Sequence, residues 1–109
     1  MSAITTHVLD TVLGKPAAGI AVRLDKLESG DSIVAAACVT DADGRCRDLA
    51  ADAPAGDYRL TFSTSSYLKR QGRTSIYPEI SITFTCDGKG HYHLPLLLSD
   101  NSYTTYRGS

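Results

Sequence analysis

A chain of 109 residues, 42% hydrophobic and 21% charged, has ordinary globular composition with room for one core, so a single domain over residues 1–109 is expected. Its formal net charge is −1 with both signs interspersed, which leaves neither the basic footprint of a nucleic-acid binder nor a membrane-seeking patch. No apolar run is long enough to span a bilayer, and no basic segment leads into a hydrophobic stretch near residue 1, so the cytoplasm is the expected location.

From Ile4 to Leu13, Ile4, Thr6, Val8, Asp10 and Val12 alternate with Thr5, His7, Leu9, Thr11 and Leu13, a strand pattern that turns His7 away from Val8. Gly14-Lys15-Pro16 is turn chemistry, and Gly19 to Leu27 is a second strand with Ile20, Val22 and Leu24 on its buried face. After the Ser29-Gly30-Asp31 turn, the alanine-rich run Ile33 to Thr40 reads as a strand, buried on either face if another layer closes on it. It ends at Asp41-Ala42-Asp43-Gly44. Arg45 to Gly56, with Pro54 and several alanines, reads as an irregular connection with room for a short strand. Tyr58, Leu60 and Phe62 mark a half-buried strand, and Ser66 to Gly72 has the only helix signals, a serine N-cap and a glycine stop. Ile80, Ile82 and Phe84 mark the next strand, and Asp87-Gly88-Lys89-Gly90 is a hairpin-like turn that would pair it with His91 to Leu98. In that last strand Tyr92, Leu94, Leu96 and Leu98 face the core, while His91 and His93 share the opposite face. Pro95 lacks a ladder donor, which suits a sheet margin or an interface. Leu9 and Leu97, on the histidine-bearing faces, are too apolar for free solvent and hint at a partner surface. Short strands with turn signals and one brief helix predict an all-β, Greek-key sandwich of about seven to eight antiparallel strands. Cys38, Cys46 and Cys86 are widely spaced without a CxxC pair, so free thiols are expected.

The chemistry-bearing residues are few. His7 faces out of the first strand; an imidazole there is the default general acid or base, though taken alone it reads more readily as an ordinary surface or interface histidine. His91 and His93 form an HxH pair that, with His7, could supply three zinc ligands. No carboxylate is placed to orient those rings, so no metal is expected. Arg45 follows a turn that can present a guanidinium at the rim of a sheet, where it would clamp a planar, oxygen-rich ligand. No nucleophile and base pair of the serine or cysteine hydrolase kind is recognisable, and there is no glycine-rich phosphate loop.

THVLD at positions 6 to 10, then GKPAAGIAV, TDADGRC, GDYRLTF, YPEISITF, HYHLPLLLS and a terminal YRGS follow one another along the chain. In order and spacing, over nearly the whole length, this series resembles the transthyretin-related 5-hydroxyisourate hydrolases. The resemblance implies a transthyretin-like sandwich and a homotetramer, a dimer of dimers with sites at the dimer–dimer interface. It also implies hydrolysis of the small molecule 5-hydroxyisourate to 2-oxo-4-hydroxy-4-carboxy-5-ureidoimidazoline, with no metal, cofactor or covalent intermediate. Carried over by motif, it makes His7 of THVLD, Arg45 of TDADGR and His93, the histidine followed by x-Pro-Leu-Leu, catalytic; Arg45 is preferred to Arg47, and His91 keeps no role. The YRGS tetrapeptide would fold into the active site, with Ser109 orienting water and Tyr106, Arg107 and Gly108 meeting the substrate. Asp100, Ser102 and Thr104 stand where the family usually has proline, glycine and serine, which bears on how rigidly the tail is held. The alternative is a non-catalytic carrier of transthyretin type, which would want a more apolar channel than two histidines and an arginine provide.

Overall fold

In the computed structural model, which describes residues 1–108, two sheets enclose one buried apolar cluster. The first sheet holds β1 (Ser2–Asp10), β2 (Lys15–Pro16), β5 (Arg45–Ala53), β8 (His91–Leu98) and β9 (Tyr103–Thr105). The second holds β3 (Ala21–Glu28), β4 (Asp31–Val39), β6 (Gly56–Phe62) and β7 (Ile80–Cys86), with α1 (Thr64–Lys69) between β6 and β7. Period-2 patterning builds the core as expected: Ile4 and Val8 of β1, Leu60 and Phe62 of β6, and Leu96 and Leu98 of β8 are all buried. The fold is the expected all-β sandwich with one short helix.

Several expectations fail for identifiable reasons. The first strand stops at Asp10 rather than Leu13. There the Asp10 carboxylate accepts the backbone N–H groups of Val12 and Leu13, both at 3.1 Å, and its carbonyl accepts that of Gly14 at 2.8 Å. Lys15–Pro16, expected as turn only, pairs back on Leu9 and Asp10. In β3, Asp25 is buried beside Leu24, where the pairing with β4 is irregular, and its carboxylate is bonded by Arg23 at 3.1 Å and Ser32 at 2.8 Å. β4 is a mostly exposed edge, not a strand buried on either face, and Ile33, Val34 and Val39 stand exposed on it. Arg45 to Ala53 is a full strand rather than an irregular connection. Alanine is a poor strand former, and two register shifts against β1 accommodate the run. The helix is capped at Ser63 and starts at Thr64, three residues before the expected Ser66 cap allows, and Ser63 makes no side-chain hydrogen bond.

The turn at Asp87–Gly90 does not make a hairpin. β7 pairs with β6 in the second sheet, whereas β8 crosses to the first sheet and runs parallel to β1, the exception to the antiparallel expectation. Cys38 and Cys46 are not free thiols but a disulfide; the tight turn between β4 and β5 brings their Cα atoms to 6.3 Å, within bridging range. That bond ties the two sheets together and leaves Cys86, which is buried, as the free cysteine. Pro95 lies inside the sheet rather than at its margin, opposite His7 on one side. On the other side β9 pairs only with Leu96 to Leu98, and the chain returns in the same register as a bridge between Gly108 and His93. The break falls where proline has no N–H to give.

The tail is fastened on the way. Gly72, at φ +69, ends the helical turn with backbone bonds from Gly72 to Lys69 and from Arg73 to Leu68. Arg73 then reaches the buried Asp10 at 2.6 Å and Asp100 at 2.7 Å. Tyr67 donates its hydroxyl to Asp10 at 2.8 Å, and Tyr103 meets Tyr77 edge-on at 5.7 Å.

Candidate active site

Three neighbouring strands of the first sheet carry the histidines and the arginine. β1 lies between β5 and β8, so His7 is paired with Arg45 on one side, and Thr5 with His93 on the other. Alternation puts Thr5, His7 and His93 on the face turned away from the core, each half-buried.

The Asp41–Gly44 turn sets Arg45. The Asp41 carboxylate accepts the backbone N–H groups of Asp43 at 2.9 Å and Arg45 at 3.0 Å. Gly44 adopts φ +75, and a Cβ on it would stand 2.3 Å from the Val8 carbonyl oxygen, so only glycine allows the turn to close on β1. His7 is tied to the same turn, donating its Nε2–H to the Asp43 carbonyl at 2.7 Å. A carbonyl only accepts, so in the neutral ring Nδ1 carries the lone pair. Arg47, the rejected neighbour, is exposed and engaged by Asp41 at 3.4 Å and Asp43 at 3.5 Å.

A cavity of about 390 Å³ opens here, lined by Thr5, Arg45, Cys46, Arg47, His91 and His93 among others. His7 stands beside it rather than in its lining. Burial, and then electrostatic repulsion from His91, Arg45 and His7, push the His93 imidazole below its ordinary range. A larger hollow of about 480 Å³ on the second sheet has no histidine in its lining, and Arg23 and Glu79 are its charged groups. The smaller cavity is therefore the one that gathers imidazoles and guanidinium groups.

Gly108 packs directly against His93. Its N–H donates to the His93 carbonyl at 2.7 Å, and a Cβ there would come within 2.9 Å of His93 Cδ2. Arg107 lies over the Tyr92 ring, 3.9 Å from its centroid, so in this structure it clamps the tail and is absent from the cavity lining. Tyr106 is about half exposed and also absent from that lining. Ser109 lies outside the described residues. Among the described residues no three His, Cys, Asp or Glu side chains converge as a metal site. His91 Nε2 and His93 Nδ1 instead both reach the Thr5 hydroxyl, at 2.8 Å each.

Sequence reasoning passed over Thr5. The available signal was its place two residues before His7, hence on the same strand face. Cys46, expected from the sequence only as a free thiol, is also a wall of the cavity.

The model of a family described as HIUase/Transthyretin matches residues 4–108. A Mus musculus protein named 5-hydroxyisourate hydrolase is 43% identical over 113 residues, covering 99% of this chain and 96% of its own. The structure of Klebsiella pneumoniae 5-hydroxyisourate hydrolase superposes with a TM-score of 0.90 at 40% identity, covering all of both chains. Sea bream transthyretin in complex with thyroxine superposes with a TM-score of 0.92 at 35% identity, over 96% of this chain and 93% of that one.

Proposed function

The chain belongs to the HIUase/transthyretin family, and from that premise we propose that it hydrolyses 5-hydroxyisourate, as its mouse and Klebsiella relatives are named for doing. The observation that carries the reading is the adjacency of β5, β1 and β8, which brings Arg45 and His93 into the lining of one cavity with His7 beside it. Adding water to a ring acyl carbon needs a base for the water, a positive group where the carbonyl oxygen gains charge, and a fixed flat ligand.

His7, with Nδ1 free to accept, and His93, held neutral by its surroundings, share water activation and protonation of the departing ring nitrogen. Arg45 binds the developing oxyanion or a neighbouring carbonyl. Ser109 positions the water, by the family motif, and Tyr106, Arg107 and Gly108 belong to the tail that closes on the ligand. Gly108 has the strongest support, through its contact with His93; Arg107 acts through the tail it fastens to Tyr92. The product is 2-oxo-4-hydroxy-4-carboxy-5-ureidoimidazoline, formed without cofactor or covalent intermediate.

The same proposal includes a dimer of dimers with sites at the dimer–dimer interface. Its support is apolar surface left uncovered by the single chain, at Val12, Leu13 and Tyr106. No helix among the described residues is long and apolar enough to cross a membrane. The cytoplasm is retained as the proposed location, with the Cys38–Cys46 disulfide pulling the other way, since thiols there are ordinarily kept reduced. Cell fractionation with thiol trapping decides between the two.

The test generates 5-hydroxyisourate in situ from urate with a urate oxidase and follows its ultraviolet absorbance with the protein and with His7→Asn. Faster decay with the native chain, lost in the variant, supports the reading. Decay at the spontaneous rate rejects it and favours the second reading, a small-ligand carrier, which rests on the equally close superposition on the thyroxine complex.

A further inference from the structure

Thr5 stands between two imidazoles on β8. Its Oγ1 is 2.8 Å from His91 Nε2 and 2.8 Å from His93 Nδ1. A hydroxyl has one hydrogen to give, and among the described residues these two rings are its hydrogen-bond partners. One ring nitrogen therefore meets Thr5 as a lone pair and the other as an N–H, so all the hydrogen bonds in the chain point the same way. The row also has a direction in space: His93 is half-buried at the cavity, whereas His91 is exposed.

Building on the hydrolase reading, we propose that His93, Thr5 and His91 form a proton relay that joins the cavity to solvent. Thr5 acts in it as a positioning residue and His91 as the terminal carrier.

The transfers balance. His93 Nε2 takes a proton in the cavity, and its Nδ1 hydrogen passes to Thr5 Oγ1. The threonine's own hydrogen passes to His91 Nε2, and His91 Nδ1 releases its hydrogen to water. One proton enters, one leaves, and both hydrogen bonds have reversed. When His93 then gives its Nε2 hydrogen to the departing nitrogen, the same transfers run backwards and restore the first state. At neither stage does His93 keep a positive charge. Such a charge would be poorly placed, because the ring is half-buried and faces Arg45 from β5 and His7 from β1. The chain thereby lets one ring act first as base and then as acid without becoming an imidazolium.

The test compares Thr5→Val, which keeps the shape and removes the hydroxyl, with Thr5→Ser, which keeps the hydroxyl, and with His91→Gln. All are assayed in dilute and in concentrated imidazole buffer. The relay predicts that Thr5→Val and His91→Gln each lower kcat roughly tenfold in dilute buffer with KM little changed, and that added imidazole restores it. It also predicts that Thr5→Ser behaves like the native chain, and that the double variant is no slower than either single one. A native kcat in both Thr5→Val and His91→Gln overturns the relay, as does a loss that imidazole does not restore. The native chain in the same assay keeps the two hypotheses apart: if it hydrolyses and the variants behave otherwise than predicted, only the relay falls, whereas a native chain without activity removes the hydrolase reading as well.

Discussion

Gly108 lies flat against His93, its N–H bonded to the His93 carbonyl at 2.7 Å and its Cα so near the ring that a methyl group would stand 2.9 Å from Cδ2. Tail and imidazole hold each other in place. Gly108→Ala must push one of them aside, and displacements of this kind lower rates by roughly 10- to 100-fold. We expect that loss in kcat with the melting temperature nearly unchanged, since the contact lies outside the core. Steady-state rates alongside a thermal melt test it, and an unimpaired kcat would show that the contact has no part in catalysis.

The pH profile follows from His93. Burial and the neighbouring positive charges lower its affinity for a proton, so the neutral, base-competent ring persists to lower pH than an ordinary imidazole. The acid limb of kcat/KM should therefore lie below the usual histidine range. Arg45→Gln removes one of the listening charges and should move that limb upward while lowering kcat. A limb that stays in place or moves down would contradict this assignment.

Arg73 joins Asp10 of β1 to Asp100 of the tail, at 2.6 and 2.7 Å. Burial alone would raise the Asp10 carboxyl, but bonds from Arg73, the Leu13 N–H and Tyr67 overcome it and hold the group at about 2. The folded value is thus depressed. Its stabilisation is complete above the unfolded value near 4 and is lost as pH falls from about 4 to about 2. Arg73→Met leaves a buried carboxylate without its cation and should destabilise the fold by about 3 kcal/mol at neutral pH. Asp100→Ala, at a partly exposed position, should cost less than about 1 kcal/mol. Urea midpoints at pH 7 and pH 3 test this; an Arg73→Met midpoint matching the native one at pH 7 would be the contrary result.

The Cys38–Cys46 bridge predicts that alkylation of the unfolded, unreduced chain labels one cysteine, Cys86. Replacing both bridged residues by alanine should lower stability by about 2 kcal/mol, the loop closed being short. Three labelled thiols by intact mass would mean that the bridge is not formed.

The period-2 runs were fully legible: each of β1, β6, β7 and β8 buries the face that its alternation marks. The motifs also marked residues that the fold sets on neighbouring strands, His7 on β1, Arg45 on β5 and His93 on β8. What local pattern could not carry was pairing. Nothing in Asp87–Gly90 tells a hairpin from a crossover, since glycine-rich turns serve both, and it is the burial of Leu94 and Leu96 against the opposite sheet that sends β8 alongside β1. β5 was hidden by its alanines, whose poor strand preference is overridden by tertiary pairing. The disulfide was invisible for the same reason as the hairpin, because it depends on how the turn between its cysteines folds. Thr5 was hidden by its chemistry: a threonine in a strand is usually only a strand former, and its meaning comes from residues far along the chain.

Thr5 and His93 are 88 positions apart, and the parallel ladder of β1 with β8 joins them. During synthesis β1 emerges long before β8 and must wait, with one flank unpaired, until β8 has been made. Long-range pairing of this kind slows folding and leaves an exposed strand edge in the interim. The face that carries His7, Arg45 and His93 is thus among the last surfaces to form, and a chain stalled before β8 would lack both His93 and the strand that closes the shared core.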